Sequence, residues 1–300
     1  MSAPSAPTRD LRFAIVTPSF YEDYERCLLL VDSVRRYLPA TMHHFIIVAK
    51  DDLELFRSTA GPRTHILVQE DLIPDDFLRV PFSRKWRVSW RTLPIRGWIW
   101  QQMVKLSIAS RIDADAYMIM DSDCFFVRPF DPHTLIKDGR VPMFREEKDF
   151  YRTSSDSQKW SEVARRLLRL PAWREPYGVG YVGPGSFWRR DVLLKLRDYV
   201  SNGRGANDWL YRIARNLTFS EYMLYGVYVD QVLGLAASGH YAFDLHICHE
   251  YWGTTPMSSA ETADFARKLP EEHYLAMINA RSDTPLSDIR AAFGFGPHQT

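Results

Sequence analysis

The chain has 300 residues, 46% of them hydrophobic, and a formal net charge of +1. That content is ample for a large core, and the near-zero charge argues against a polyanion binder working through bulk charge. Three widely spaced cysteines, Cys27, Cys124 and Cys248, include no CxxC, which reads as reduced thiols rather than a disulfide frame or zinc site.

Residues 1–10 are polar and rich in Pro and Ser; they read as a disordered tail without the apolar region of a signal peptide. Residues 11–17 (LRFAIVT) are an apolar run stopped by Pro18, which suits a buried strand. The spacing predicts a helix over 21–37, a strand over 44–49, a short helix over 51–56 and a third strand over 65–68. The order β-α-β-α-β implies a mostly parallel sheet with helices on its faces. Residues 73–95 mix Pro, Arg and Trp and read as an irregular excursion. A basic cluster there, Arg79, Arg84, Lys85, Arg87, Arg91 and Arg96, suits an anionic acceptor, a membrane surface or a solvated loop. Over 97–112, Trp100, Val104, Ile108 and Ile112 form one helical stripe. A strand follows over 116–120. Further on, the pattern predicts a strand over 141–144 and helices over 160–170, 192–199, 209–214 and 219–237. A glycine- and aromatic-rich stretch fills 177–189, and a strand covers 241–252. The tail reads as helices over 259–267, 271–280 and 287–293. No run approaches the roughly 18 apolar residues of a membrane span.

The strand over 116–120 ends in Asp121-Ser122-Asp123. In an extended chain, Asp121 and Asp123 point to one side and Ser122 to the other. Two converging acids repel, and a divalent cation with oxygen ligands, Mn²⁺ or Mg²⁺, is the natural compensator. Such a metal at a strand end suits chemistry on phosphates; a solvated turn or helix N-cap is the bland alternative. Thr17-Pro18-Ser19 and Lys50-Asp51-Asp52 lie at two other strand ends, where open parallel sheets bind ligands. The many aromatic residues suit sugar or base stacking and equally suit a core.

A strand-terminal Asp121-Ser122-Asp123 after a Rossmann-like first half resembles the GT-A class of nucleotide-sugar glycosyltransferases. More narrowly, the chain resembles a bacterial family of unknown function linked to surface polysaccharide assembly. The features are Val16-Thr17-Pro18-Ser19, Gly97-Trp98 with Gln101, Gln102 and Lys105, Ser220-Glu221-Tyr222, and Tyr225-Gly226. The resemblance implies an α/β fold of GT-A type, a mostly parallel sheet flanked by helices, with a helical C-terminal part. It implies one domain over 11–300: a nucleotide-binding half (11–130), an acceptor or sugar half (131–255) and a helical tail (256–300).

In that class the paired acids hold a divalent metal against the donor diphosphate and so stabilise the leaving group. Asp123 is the expected direct ligand. Asp121 would contact ribose or metal, with Ser122 in the same donor-binding set. Thr17, Pro18, Ser19 and Asp51 would surround the nucleoside, Asp51 being alternatively a helix N-cap. His249 fits a late third metal ligand; His246, on the other side of the strand, is the rival, and either can be structural. Glu221, at a helix start, is the expected base for an acceptor hydroxyl, with Asp230 in reserve; a charge–dipole role is the alternative for Glu221. Lys105 would reach the diphosphate or sugar, or else lies on a solvated helix face. The glycines of 177–185 do not form GxGxxG, so a nicotinamide fingerprint is unsupported.

The implied reaction moves a sugar from a nucleoside diphosphate donor, UDP by class frequency, to a glycan or lipid-linked acceptor. The expected compartment is the cytoplasm, with peripheral membrane contact left open and no nucleic acid partner. One rival is a DxD phosphohydrolase, disfavoured because Phe125 stands where Thr or Val is usual and three strands precede the motif. A nucleotidyltransferase would need a glycine-rich loop after the first strand, and a non-catalytic carbohydrate-binding protein leaves the paired acids unexplained.

Overall fold

The computed structural model of the protein describes residues 11–80, 83 and 86–296. The expected N-terminal tail, Arg84 and Lys85 lie outside the described residues. The chain opens with β1 (Phe13–Pro18), α1 (Tyr24–Tyr37), β2 (His43–Val48), α2 (Leu53–Phe56) and β3 (Thr64–Val68). There follow β4 (Leu78–Arg79), β5 (Trp86–Val88), β6 (Ile95–Arg96), α3 (Gly97–Ser107), β7 (Ala116–Ile119) and β8 (Cys124–Phe126). The middle of the chain holds β9 (Val141–Phe144), β10 (Glu146–Glu147), α4 (Asp149–Thr153), α5 (Ser155–Leu167), β11 (Val179–Gly180) and β12 (Ser186–Arg189). Then come α6 (Arg190–Ser201), α7 (Asp208–Ala214), α8 (Glu221–Val227), β13 (His240–Phe243) and β14 (Cys248–Tyr251). The last elements are α9 (Ser259–Arg267), β15 (Leu275–Ile278) and α10 (Leu286–Ala292).

The central sheet runs β12-β7-β1-β2-β3. Its β7, β1, β2 and β3 are parallel, and β12 closes one edge antiparallel to β7. This is the mostly parallel, Rossmann-like arrangement expected. Both faces are covered, as parallel sheets require. Ala14, Val16, Tyr117, Ile119 and Trp188 enter one core with α3 and α8. Phe13, Ile15, Met118, Met120 and Phe187 enter a second core beneath α1. The alternation is the period-two signature of a strand buried on both sides.

A second sheet, β14-β15-β8, positions the acids. The chain leaves the central sheet at Ile119, turns through residues 121–123, and enters this sheet at once as β8.

Four sequence expectations are corrected. Residues 73–95 are not wholly irregular: they contain β4 and β5 of a three-strand antiparallel sheet that β6 completes. Residues 271–280 are not a helix. Leu275, Ala276, Met277 and Ile278 are good or fair helix formers, but all four are buried between β14 and β8, and packing overrides propensity. The strand expected over 241–252 is two strands in different sheets, β13 beside β9 and β14 beside β15. The helix expected over 219–237 is α8 followed by a π-helical turn (Tyr228–Leu233), ended by Gly234 at φ +80.

Candidate active site

At the carboxyl end of β1, Thr17 is fully buried and its Oγ1 lies 2.9 Å from His44 Nε2. Pro18 ends the strand, and the Ser19 N–H donates to the Ile47 carbonyl at 2.9 Å. Phe20 and Tyr21 then stand exposed. Asp51 is exposed and pairs with Arg79, whereas its neighbour Asp52 is buried and accepts the Tyr21 N–H at 3.2 Å. Asp52 therefore tethers the loop after β1 to the end of β2.

The acid turn is closed by a bond from the Cys124 N–H to the Asp121 carbonyl, 3.1 Å. Its three side chains diverge in environment. Asp121 is exposed, and its Oδ1 accepts from Lys105 Nζ at 2.8 Å. Ser122 is buried and donates to Asp23 Oδ2 at 3.0 Å. Asp123 Oδ2 accepts the Ala280 N–H at 3.1 Å, a contact across 157 residues. Desolvation, then the charge of Asp121, pushes the Asp123 carboxyl up to about 6, against the pull of the Ala280 N–H. Desolvation also raises Asp23, whose charge is partly met by Arg26.

Lys105 is the hub. It is 4% exposed and not on a solvated helix face, since its ammonium sits between Asp121 and Glu221, the latter at 3.0 Å. Burial opposes its charge, but the two carboxylates outweigh burial and hold its pKa well above the usual lysine range. Glu221 opens α8 and is itself buried, which raises its carboxyl despite Lys105. Its N–H donates to Gln102 Oε1 at 3.0 Å, locking the start of α8 onto α3.

Asp230 lies in the π-helical turn, bonded to Arg145 (3.0 Å) and to the Tyr181 hydroxyl (2.8 Å). His246 lies between Glu146 (Nε2, 2.8 Å) and Glu250 (Nδ1, 3.8 Å), and these acids raise its pKa. His249, one residue after Cys248, points to the opposite face of β14. Its ring stacks on Phe265 with centroids 4.1 Å apart. The structure does not gather it with Asp121 and Asp123. Among the described residues, no three His, Cys, Asp or Glu side chains form a metal-holding group. Gly185 packs against the end of β7, its N–H on the Ile119 carbonyl at 3.1 Å. Its φ of +76, and the 2.8 Å from a notional Cβ to Leu275, admit glycine alone without strain.

The arrangement brings together Asp121, Ser122, Asp123, Lys105, Gln102 and Glu221 of the residues singled out in the sequence and adds two, Asp23 and Arg26. Asp23 and Arg26 were legible in principle, because the first turn after a β1 strand faces the same sheet edge as the acids. Asp23 and Asp123 act on Arg26, and Lys105 joins Asp121 to Glu221, so the acids at this strand end are held by two cations. Asp121 and Asp123 each keep a carboxylate oxygen outside their bonds to Lys105 and Ala280, hard oxygen donors of the kind a divalent cation takes.

The model of a family of unknown function, DUF6492, matches residues 13–292. No curated protein matches the chain. Similar solved structures include the bifunctional glycosyltransferase WbbM in its apo form, at 11% identity and a TM-score of 0.47, over 97% of this chain and 51% of that one. The present chain thus spans about half the length of WbbM. Mouse xyloside xylosyltransferase 1 is similar at 9% identity and a TM-score of 0.47, over 91% of this chain and 99% of that one. The galactosyltransferase LgtC with donor and acceptor sugar analogues is similar at 10% identity and 0.45, over 94% and 95%.

Proposed function

The chain belongs to DUF6492, a family of unknown function, and from that premise we propose that it is a metal-dependent glycosyltransferase of GT-A type. It transfers a sugar from a nucleoside diphosphate, with UDP the default, to a hydroxyl of a glycan or lipid-linked acceptor in bacterial surface polysaccharide synthesis, in the cytoplasm. The observation that carries this reading is the acid turn at the end of β7, which sets Asp121 and Asp123 two residues apart at the carboxyl end of the central sheet.

Asp121 and Asp123 would hold Mn²⁺ or Mg²⁺ through the carboxylate oxygens not used by Lys105 and Ala280. When bound, the metal neutralises charge developing on the departing diphosphate. The protein side chains orient the rest. Lys105 fixes the Asp121 carboxylate, and the Ala280 N–H fixes Asp123. Pro18, Ser19 and Asp51 border the nucleoside, with Phe20 and Tyr21 as faces for its base, while Thr17, fully buried against His44, supports the strand end behind them. Of the two candidate bases, Glu221 is 4% exposed at its side chain and committed to Lys105, so its role is to position that lysine. Asp230, at 12%, retains more access, and to act as the base it must give up its bonds to Arg145 and the Tyr181 hydroxyl. His249 as a third ligand would require its ring to leave Phe265.

Calorimetric titration with UDP, GDP and CMP, each with and without Mn²⁺, tests the reading. Metal-dependent binding of one nucleotide is expected, and Asp123→Ala abolishes it in a protein that stays folded. No nucleotide binding by the folded parent moves the assignment to a hydrolase or a carbohydrate-binding protein. Asp230→Asn retains donor binding and loses turnover by 10²-fold or more if Asp230 is the base, within the usual range of roughly 10²–10⁴ for such groups.

A further inference from the structure

The small sheet β4–β5–β6 has two unlike faces. Leu78 pairs with Val88, and Trp86 with Arg96, so these four residues share one face. Arg87 and Ile95 pair on the other face and are buried. On the outer face Leu78, Trp86 and Arg96 are exposed. The turn from β5 to β6 adds Trp90, 86% exposed, and Leu93, 59% exposed. Among the described residues the Trp90 indole stays open beside Arg91, whose guanidinium lies 5.7 Å from its ring centre, and clustered exposed apolar groups mark contact surfaces.

Arg91, in the same turn, crosses to Asp208 (3.7 Å) over the ring of Tyr211 (3.6 Å). Asp208 lines a cleft of about 550 Å³ with Arg166, Arg204, Arg212 and Arg215. It is the single acid among the lining residues, and Arg212 already holds it at 2.7 Å. Leu217, just beyond this cleft, is 73% exposed. Apolar and cationic groups therefore adjoin on one surface of a protein whose net charge is only +1.

We propose that this surface docks the protein on a bilayer bearing anionic headgroups. Trp86, Trp90, Leu78 and Leu93 enter the headgroup region, and the arginine cleft takes lipid phosphates. Charge complementarity selects the occupant, because four arginines face one acid. A single-stranded nucleic acid would stack on the tryptophans but leave Leu78, Leu93 and Leu217 in water. Arg79, on the opposite face of β4 with Arg87, pairs with Asp51 at the end of the central sheet, so the docked face is the side of this small sheet turned away from that contact. The inference does not depend on the transferase reading.

Vesicle flotation of the full chain tests it, with phosphatidylcholine alone and mixed with phosphatidylglycerol. Binding to the mixed vesicles only, weakened by salt, is expected. Each basic residue near such a surface contributes about 1 kcal/mol, or about fivefold, so Arg204→Ala/Arg215→Ala weakens partition on the order of 25-fold. Trp90→Ser/Leu93→Ser weakens it while leaving the salt dependence in place. Melting curves check that both variants fold, and Arg204→Gln/Arg215→Gln replaces the first pair if it does not. Absence of binding to the mixed vesicles by the folded parent overturns the proposal, as does binding that both double variants retain in full. Calorimetric binding of inorganic phosphate without vesicle binding reassigns the cleft to a soluble anion. Self-association abolished by Trp90→Ser, again without vesicle binding, reassigns the face to a second copy.

Discussion

Lys105 governs how the acids of the site are held. The Lys105–Glu221 pair is buried on both sides, at 5% and 4% side-chain exposure. Removing one partner of such a pair leaves an uncompensated charge and costs about 3–5 kcal/mol. Asp121 is half-exposed, so its share is screened and small. Lys105→Met is therefore expected to lower the urea midpoint without changing the slope; a variant as stable as the parent would contradict the buried pairing. His240 gives a pH signature. Burial pushes it down to about 4, and in the fold it lies 2.7 Å from the Tyr225 hydroxyl and 3.0 Å from the Val141 carbonyl. A depressed histidine is neutral when folded and takes up a proton on unfolding. Its contribution is whole above about pH 6.5 and is lost as pH falls toward 4, by about 1.4 kcal/mol per unit. His44, pushed down to about 3, acts in the same sense. His240→Gln should flatten the fall in unfolding free energy measured between pH 6 and 4; an unchanged slope would remove His240 from the account.

The elements that periodicity reveals are those whose faces are set locally. The strand β1 and helix α1 were legible because Pro18 stops one and a stripe of Leu28, Val31 and Val34 drives the other. The strand β15 was not, because its four residues become a strand only when β14 and β8 enclose them. The paired acids were legible as a spacing. Their separate environments were not, since Ser122 is turned inward by Asp23 and Asp123 by Ala280, contacts of 99 and 157 residues. The turn before β12 is equally cryptic in sequence and strict in structure. Gly185→Ala meets both a positive φ and Met118 within 2.9 Å. A loss of roughly 1–3 kcal/mol is expected from the backbone alone, read by thermal melting; an unchanged melting temperature would show that the turn relaxes freely.

Across the whole molecule, the acid turn is where the chain passes from the central sheet to the sheet of β14, β15 and β8. The central sheet could be drawn from a β-α-β-α-β pattern, while the second sheet joins segments too distant for any pattern to connect. Truncation after residue 270 removes β15 and α10, bares the edges of β8 and β14, and strips Asp123 of its N–H partner. The expected product unfolds without cooperativity and self-associates, as read by urea titration and sizing; a monomer with a sharp transition would show that the second sheet is dispensable. The same contact imposes an order in time on a growing chain. At about 5–20 residues per second on the ribosome, the 157 residues from Asp123 to Ala280 take roughly 8 to 30 s to add. Throughout that interval Asp123 is made but lacks the N–H that seats it, so the acid turn takes its final form only after residue 280 has been added.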